Sequence, residues 1–376
     1  MSALQNTPIV HATTVHPWWD NRVSNKMVNG LAKLGYQVYF IVNSYPADRR
    51  PNINCLTIKT LQRESGLKNR IIKNLLVLKR ASSIPHKGIF HFHDPEMIFV
   101  GALMRLQGWK VIYDVHEDYY LSIAHKPYLG KWSQLLLPWA FRLIEQSFIK
   151  LFGFHLINAE KTYTSRYPKG VEILNYPKLL KISATNNRHD YQKINLIYAG
   201  VMMIGRGVFK FKEILQTDPD IHITIIGRCP KHLKQQILEN CAPYIERLTM
   251  HTTPEGIAFE DIVSLYLQGD WAAGISIFSD IPNYRDTEPT KFFEYIQYSM
   301  PIIASNFPTW KKFVEGQEIG ICIDPDDIPG TLPSALKILK NKQHWNTIRK
   351  NCQNVAVQYS WESQQEKLIN LYKQIC

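Results

Sequence analysis

The sequence lacks the cysteine spacing that builds a zinc site or a disulfide scaffold. Its six cysteines, Cys55, Cys229, Cys241, Cys322, Cys352 and Cys376, are dispersed without a CxxC pair, so reduced thiols are expected. No apolar run approaches the roughly 18–20 residues of a spanning helix; Leu135–Phe141 is short and broken by Pro138. No basic segment leading into a long apolar stretch opens the chain, so no signal peptide is expected. Glycine motifs are missing as well. Gly205-Arg-Gly207 is a fragment of a dinucleotide fingerprint, no GxGxxG follows a strand, and the GxxxxGK-Ser/Thr phosphate loop is absent. A Rossmann dehydrogenase and a P-loop phosphotransferase are therefore disfavoured.

What is present is a folded composition of two-domain length: 376 residues, 45% hydrophobic and 20% charged. The net charge of +12 is unevenly placed. Residues 1–190 carry 25 basic and 12 acidic side chains, which leaves 19 and 20 for the remainder. The asymmetry points to a polyanionic partner, membrane surface or nucleic acid, acting on the first half.

Short apolar strands alternate with helix-length periodic segments. Pro8–Ala12, Gln37–Val42, Gly88–Phe92, Lys110–Asp114 and His155–Asn158 read as strands. Ser24–Leu34, Met97–Gln107 and Lys131–Lys150 read as helices, the first two stopped by Gly35 and Gly108. After a polar stretch the pattern restarts with strands at Asn195–Tyr198, Ile221–Ile226, Trp271–Ile275, Pro301–Ala304 and Gly320–Ile323. Helices fit at Phe209–Leu215, His232–Asn240, Phe259–Gln268 and Lys291–Ser299. Strand, loop, helix and glycine stop, repeated, predicts two doubly wound α/β domains with parallel sheets. The expected division is 1–180 for the first domain, 181–192 for a linker, 193–358 for the second domain and 359–376 for a closing helix packing back on the first. Ligands in such sheets sit beyond the carboxyl ends of strands, and a cleft between domains is the default site.

The most informative window is Arg285–Ser305, RDTEPTKFFEYIQYSMPIIAS. Pro289 and Thr290 stand where a helix would begin, and proline suits a first turn because its missing N–H would be unpaired there. A helix N-terminus carries about half a positive charge and binds phosphate; Lys291 adds a full charge. Glu294 lies one turn deeper on the face of Thr290, within reach of a ribose diol. The spacing fits equally an amphipathic helix with an exposed Lys–Glu pair.

The run Pro-Thr-Lys-Phe-Phe-Glu-Tyr (289–295), followed by Pro-Ile-Ile-Ala-Ser-Asn-Phe-Pro-Thr-Trp (301–310), resembles the donor-nucleotide motif of family 4 glycosyltransferases of the GT-B fold. It is similar above all to the branch that assembles bacterial polysaccharides. The resemblance continues in Gly320–Pro325, Tyr359–Glu362 and the segment Leu368–Tyr372. Upstream it includes Val15–Arg22, His93–Glu96 and Tyr113–Glu117. These segments occur in family order over nearly the whole chain.

The resemblance implies a GT-B architecture of two Rossmann-like domains facing across a cleft, and metal-independent transfer with retention. It implies a nucleotide-sugar donor, a UDP-sugar in preference to a GDP-sugar. Glu294 then holds the donor ribose, and Lys291 with the Thr290 amide contacts the diphosphate. Asp286 matches the first acid of the family motif, one carbon shorter than the usual Glu, with Glu288 a nearby substitute for the donor-sugar contact. In the loop after Tyr198, Val201 replaces an expected Arg and Arg206 takes the place of an expected Lys. His116 matches the family histidine that faces donor sugar and acceptor and is expected, with Asp286, to be catalytic; Glu117 beside it is expected on the acceptor side. Asp20 and Arg22 match acceptor-side positions, although the pair also fits a loop ion pair. His93 and Asp94 are expected to support the loops.

The charge surplus includes a basic amphipathic stretch in which Lys68, Arg70, Lys73, Lys79 and Arg80 surround Ile71, Ile72, Leu75, Leu76 and Leu78. Such a helix reads as a contact with an anionic membrane, and equally as a core-packed helix with a solvated rim. Lys131–Lys150, with Trp132, Trp139 and Phe141, reads as core in preference to a second membrane-surface element. The expected protein is a hexosyl- or N-acetylhexosaminyltransferase acting on a glycan or lipid-linked glycan in capsule or lipopolysaccharide assembly. Its expected place is the cytoplasm, peripheral on the inner face of the cell membrane. Rival expectations are a nucleotide-sugar 2-epimerase and a non-catalytic polyanion binder. Binding of nucleic acid is not expected, because the basic stretch lacks interleaved aromatics and matches no nucleic-acid module.

Overall fold

The computed structural model describes residues 3–61, 67–116, 130–179, 189, 191–285 and 287–376. The chain divides into one unit of Met1–Asn175 with Trp361–Cys376 and a second of Tyr176–Ser360. Of the expected linker 181–192, only His189, Tyr191 and Gln192 are described residues.

The first unit holds a parallel sheet of β1 (Ile9–Ala12), β2 (Val38–Asn43), β3 (Leu56–Leu61), β4 (Ile89–Phe92), β5 (Lys110–Val115), β6 (His155–Asn158) and β7 (Val171–Glu172). Its spatial order is β3-β2-β1-β4-β5-β6-β7. The chain runs outward from β1 in one direction, then returns to β4 on its other side. That reversal makes the β1–β4 border the switch point at which doubly wound sheets bind ligands. The strands were legible because burial on both faces demands continuous apolar runs. The edge strand β3, LTIKTL, is half-exposed and alternates with polar residues, so it carried no such run.

Helices α1 (Asn29–Lys33), α2 (Leu67–Ser82), α3 (Ile98–Leu106) and α4 (Lys131–Phe152) cross between these strands. Asp20 opens the turns before α1 by accepting the Val23 N–H at 2.6 Å, and Asn21–Val28 is wound as a π-helix. One sheet face carries Ile9, Phe40 and Ile89. It is covered by Met27, Val28 and Leu31 and by the closing helix Trp361–Ile375, which buries Trp361, Leu368 and Tyr372 there. The opposite face carries Val10, Phe90, Phe92 and Val111 beneath α2 and α3.

The second unit repeats the plan with β8 (Ile194–Ala199), β9 (Ile221–Arg228), β10 (Leu248–Thr253), β11 (Ala273–Ser276), β12 (Ile302–Ser305) and β13 (Gly320–Ile323). The order β10-β9-β8-β11-β12-β13 places its switch point between β8 and β11. Around it lie α5 (Phe211–Thr217), α6 (Lys231–Asn240), α7 (Phe259–Gln268), α8 (Pro282–Arg285), α9 (Thr290–Gln297), α10 (Pro308–Val314), α11 (Ile328–Lys340) and α12 (Lys342–Ala356). Helix α9 stops at Gln297, short of the expected Ser299. Ser299 adopts a φ of 55°, and the Met300 N–H turns back to the Tyr295 carbonyl at 3.0 Å.

Two parallel sheets wrapped by helices, one per unit, give an α/β fold of the doubly wound kind.

Candidate functional site

In the second unit the site begins with how α9 is fixed to the switch point. The Tyr295 ring lies over Gly274, where an added Cβ would collide with it. Its hydroxyl sits 3.2 Å from both the Ile197 and Ile275 carbonyls and accepts the Ala199 N–H at 3.3 Å. One phenol thus ties α9 to β8 and β11 together. Phe292 and Phe293 are buried beside it, so the helix N-terminus is set near the carboxyl ends of both strands.

The loop after β8 closes against its neighbours at two glycines. Gly227 has a φ of 136° and so little room that a Cβ would strike the Gly200 carbonyl. Gly207 has a φ of 73°, and a Cβ there would strike the Ile277 carbonyl; the left-handed region and the close approach both require glycine. The Ser279 N–H binds the Gly205 carbonyl at 3.1 Å, joining this loop to the one after β11.

Lys291 is 5% exposed. Its ammonium lies 3.4 Å from the centroid of the Tyr198 ring and 5.0 Å from that of Phe278. It has no hydrogen-bond partner among the described residues. Burial, with the Arg206 charge beside it, holds the ammonium well below the ordinary lysine pKa, against an opposing pull from Glu294. The Arg206 guanidinium lies 5.9 Å from the Phe278 centroid, and its Nη1 reaches the Val201 carbonyl at 3.5 Å. Two cations thus converge on one aromatic wall, and an anion would relieve both the desolvation and the repulsion. Sequence reasoning expected a Lys291 beside the helix end; its burial on Tyr198 is a feature of the fold.

Of the other expected donor residues, Thr290 is exposed as the first residue of α9 and Glu288 is half-buried. Glu294, half-buried, accepts a hydrogen bond from the Tyr266 hydroxyl at 3.1 Å. Tyr266 was not expected from the sequence, since nothing in α7 marks it. Asp286 lies outside the described residues, as does Glu117.

The first unit has its own polar centre at its switch point. The loop after β1 brings His16, the loop after β4 brings Asp94, and β5 runs out into His116. Asp94 is fully buried. Its Oδ2 accepts from the Thr13 hydroxyl at 2.8 Å, the Thr14 N–H at 2.6 Å and the Val15 N–H at 3.3 Å. The imidazole Nε2 atoms of His16 and His116 face each other at 2.8 Å. His16 Nδ1 lies 3.3 Å from an Asp20 carboxylate oxygen, and His116 Nδ1 lies 3.2 Å from the Asp114 carbonyl. Burial opposes charge at both rings. At His16 the hydrogen bond to Asp20 and the charges of Asp94 and Asp20 overcome it and raise the pKa; at His116 burial wins and lowers it.

Beneath these loops Arg22 donates to Asp114 with two nitrogens, at 3.1 and 2.8 Å. Asp114 also accepts from His93 Nδ1 at 2.9 Å, His93 Nε2 meets His11 Nδ1 at 3.0 Å, and the Tyr372 hydroxyl sits between His11 and His91 at 3.2 and 2.7 Å. Asp20 and Arg22 therefore do not pair with each other. Asp20 caps a helix and orients His16, and Arg22 is held inside the fold by Asp114.

The basic stretch folds as α2, but its cations serve different ends. Arg70 pairs with Glu96 at 3.2 Å, and Arg80 donates to the Thr60 carbonyl. Lys79 is exposed and Lys73 half-exposed; the Lys68 side chain is outside the described residues. The reading of Lys131–Lys150 as core holds at its C-terminal turns, where Phe148 and Ile149 pack against the core of the first unit, and fails for most of its other apolar side chains. In α4 Trp132 is 78% exposed and Leu143 71%, with Leu136 and Trp139 also open. On the buried side Glu145 accepts from Tyr113 and Tyr167 at 2.8 and 2.5 Å. No helix among the described residues is long and apolar enough to cross a membrane.

Neither a protein-family model nor a curated protein sequence matches the chain. Solved structures do. Sucrose-phosphate synthase from Thermosynechococcus elongatus superimposes with a TM-score of 0.72 at 14% identity, over 98% of this chain and 99% of that one. Anabaena HepE in complex with UDP and glucose gives 0.68 at 11% identity, over 98% and 100%. WaaG, a glycosyltransferase involved in lipopolysaccharide biosynthesis, gives 0.66 at 12% identity, over 97% and 99%. The chain has the GT-B fold.

Proposed function

We propose that the chain is a retaining glycosyltransferase. It moves a hexosyl or N-acetylhexosaminyl unit from a nucleotide-sugar, a UDP-sugar in preference to a GDP-sugar, to a glycan or lipid-linked glycan during surface-polysaccharide assembly. The observation that carries this reading is the buried Lys291 ammonium without a hydrogen-bond partner among the described residues, beside Arg206 and the N-terminus of α9. HepE, of the same fold, is solved with UDP and glucose.

In this reading the diphosphate takes the two cations and the first N–H groups of α9, and Glu294 accepts from the ribose hydroxyls. Transfer builds negative charge on the departing diphosphate and positive charge on the sugar ring. Lys291, Arg206 and the helix N-terminus stand ready for the first without reorganising, so the reading calls for no metal. The second falls to Glu288 and Asp286 near the sugar. His116 serves the sugar and acceptor side by hydrogen bonding, with Glu117, Asp20 and Arg22 shaping that side. For retention on one face, a leaving diphosphate oxygen accepts the acceptor hydroxyl's proton, and no side chain is named as base.

The acceptor side also carries the membrane contact in this reading. Exposed apolar side chains recur on α2 (Ile71, Leu75), α3 (Phe99, Leu106) and α4 (Trp132, Leu143), and these helices pack side by side as α2 on α3 and α3 on α4. The surplus of basic residues in the same half supplies attraction to anionic headgroups. An anionic membrane bearing a lipid-linked acceptor fits this face, at the inner surface of the cell membrane.

The test is a panel of UDP- and GDP-sugars incubated with and without lipid-linked glycan acceptors, followed by NMR. Acceptor-dependent nucleotide release with retained anomeric configuration is expected. Formation of an epimeric nucleotide-sugar without acceptor would mean an isomerase on this scaffold.

A further inference from the structure

The pair His16 and His116 poses a problem of protons. Each ring is anchored through Nδ1 to a group that can only accept: an Asp20 carboxylate oxygen at 3.3 Å and the Asp114 carbonyl at 3.2 Å. Both anchors call for Nδ1–H, so in the neutral rings both Nε2 atoms present lone pairs. Those lone pairs face each other at 2.8 Å, a distance that requires a cation between or beside them.

A proton on one ring satisfies the two nitrogens but leaves a third atom stranded. Asp94 Oδ1 is buried and has no hydrogen-bond partner among the described residues. It lies 3.6 Å from His16 Nε2, too long for a hydrogen bond. The other oxygen of the same carboxylate is fixed by Thr13, Thr14 and Val15, so Oδ1 cannot swing away to water.

We propose that His16, His116 and Asp94 form a binding site for a divalent transition-metal ion of the zinc class. One ligand atom from each lies within 4.8 Å of the others. Ligands about 2.0–2.1 Å from a zinc ion stand roughly 3.3–3.4 Å apart at tetrahedral angles, and the observed 2.8 and 3.6 Å bracket that separation. Two imidazoles and one carboxylate suit ions of borderline softness and leave a fourth position for water or ligand. The outer partners are those that metal-bound histidines need, a carboxylate and a carbonyl on the far nitrogens. His16 is 19% exposed along its side chain, which gives the ion an entry. All three loops belong to the first unit, so the site is complete without the nucleotide site.

This site goes beyond the transferase reading and has a consequence for it. An ion that takes His116 removes it from the sugar and acceptor side, so zinc acts as an inhibitor that a chelator relieves. That consequence rests on the proposed role of His116; the binding itself does not.

The experiment is zinc titration of the full chain in competition with a chromophoric chelator. One ion per chain is expected, with magnesium failing to compete. His16→Gln should weaken binding by more than about 100-fold, since loss of even an outer partner costs roughly 10–100-fold. Asp20→Asn keeps the helix cap but offers an amide to His16 Nδ1, and should weaken binding about 10-fold. Circular dichroism of each variant secures its folding. Absence of stoichiometric zinc binding in the wild-type chain overturns the proposal, as does full binding in folded His16→Gln. Binding lost in His91→Gln but kept in His16→Gln would place the ion instead among the buried His11, His91 and His93.

Discussion

The Lys291 ammonium stands 3.4 Å from the centroid of the Tyr198 ring, inside the protein and without a hydrogen-bond partner among the described residues. Each residue comes from an element that meets at the β8–β11 switch point, Tyr198 from β8 and Lys291 from the first turn of α9. A face-on ring repays an ammonium about 2 kcal/mol when both are desolvated, less than the several kcal/mol of a buried, unpaired charge. The free protein therefore holds a strained charge that an anionic ligand relieves.

Replacing that charge should stabilise the empty protein. Lys291→Met keeps the apolar stem and removes the buried ammonium. We expect a gain of about 1 kcal/mol, or a melting temperature roughly 2–4 °C higher. Differential scanning calorimetry without nucleotide reads this, and a clear drop in melting temperature would contradict a strained ammonium.

The same group sets a pH dependence. Its folded pKa is depressed well below the ordinary lysine value by burial and Arg206, with Glu294 opposing. Between the folded and unfolded values the unfolded chain binds the extra proton, so this group's contribution to stability becomes more favourable as pH rises through that window. In the proposed donor site a diphosphate would bind the protonated form. UDP affinity should fall as pH rises through the depressed pKa, and binding above it should take up a proton. Titration calorimetry in buffers of differing ionisation enthalpy measures the uptake, which should vanish in Lys291→Met.

Glu294 and Lys291 should separate by ligand. If Glu294 holds the ribose, Glu294→Ala weakens UDP by about 30- to 100-fold, the ~2–3 kcal/mol of charge-assisted hydrogen bonds, and leaves pyrophosphate affinity unchanged. Tyr266→Phe, which removes the donor to Glu294, should cost UDP less than about 10-fold. Equal losses for UDP and pyrophosphate in Glu294→Ala would move the carboxylate away from the ribose.

In the first unit, Arg22 and Asp114 are a buried ion pair joined by two hydrogen bonds. Arg22→Met leaves the Asp114 carboxylate uncompensated except by His93, and should cost about 3–5 kcal/mol of stability. Urea denaturation checks it. A loss below about 1 kcal/mol would mean that the pair is dispensable to the fold.

The exposed face of α4 predicts a surface effect without a stability effect. Leu136→Asp with Leu143→Asp should reduce binding to anionic vesicles by about 10-fold or more. It should leave the melting temperature unchanged, because both side chains are already exposed. Neutralising Lys73 and Lys79 should also weaken binding, at about 1 kcal/mol each. Vesicle co-sedimentation measures both, and unchanged binding in the Asp variant removes the membrane contact.

Legibility in the sequence followed burial. Strands such as β1, β4, β8 and β12 announce themselves because both faces are covered, whereas β3 and β10, with LTIKTL and LTMHTT, lie at sheet edges and mix Thr, Lys and His into the run. The start of α9 was readable because proline, lysine and glutamate fall within a few positions of one helix end. The His16–His116 contact joins residues 100 positions apart, and the His11–His93 contact joins residues 82 apart. No local pattern encodes such pairs; they follow from strand order alone. Trp132 and Trp139 misled for the opposite reason. An aromatic residue in an apolar helix reads as core, and only the packing of its neighbours reveals an open face.

Binding of a nucleotide diphosphate at the N-terminus of α9 is tested most directly by titration calorimetry of UDP into the wild-type chain and Lys291→Met. One UDP per chain in the wild type, with affinity lost by more than about 100-fold in the variant, is the predicted result. Equal UDP affinity in the two proteins would contradict it.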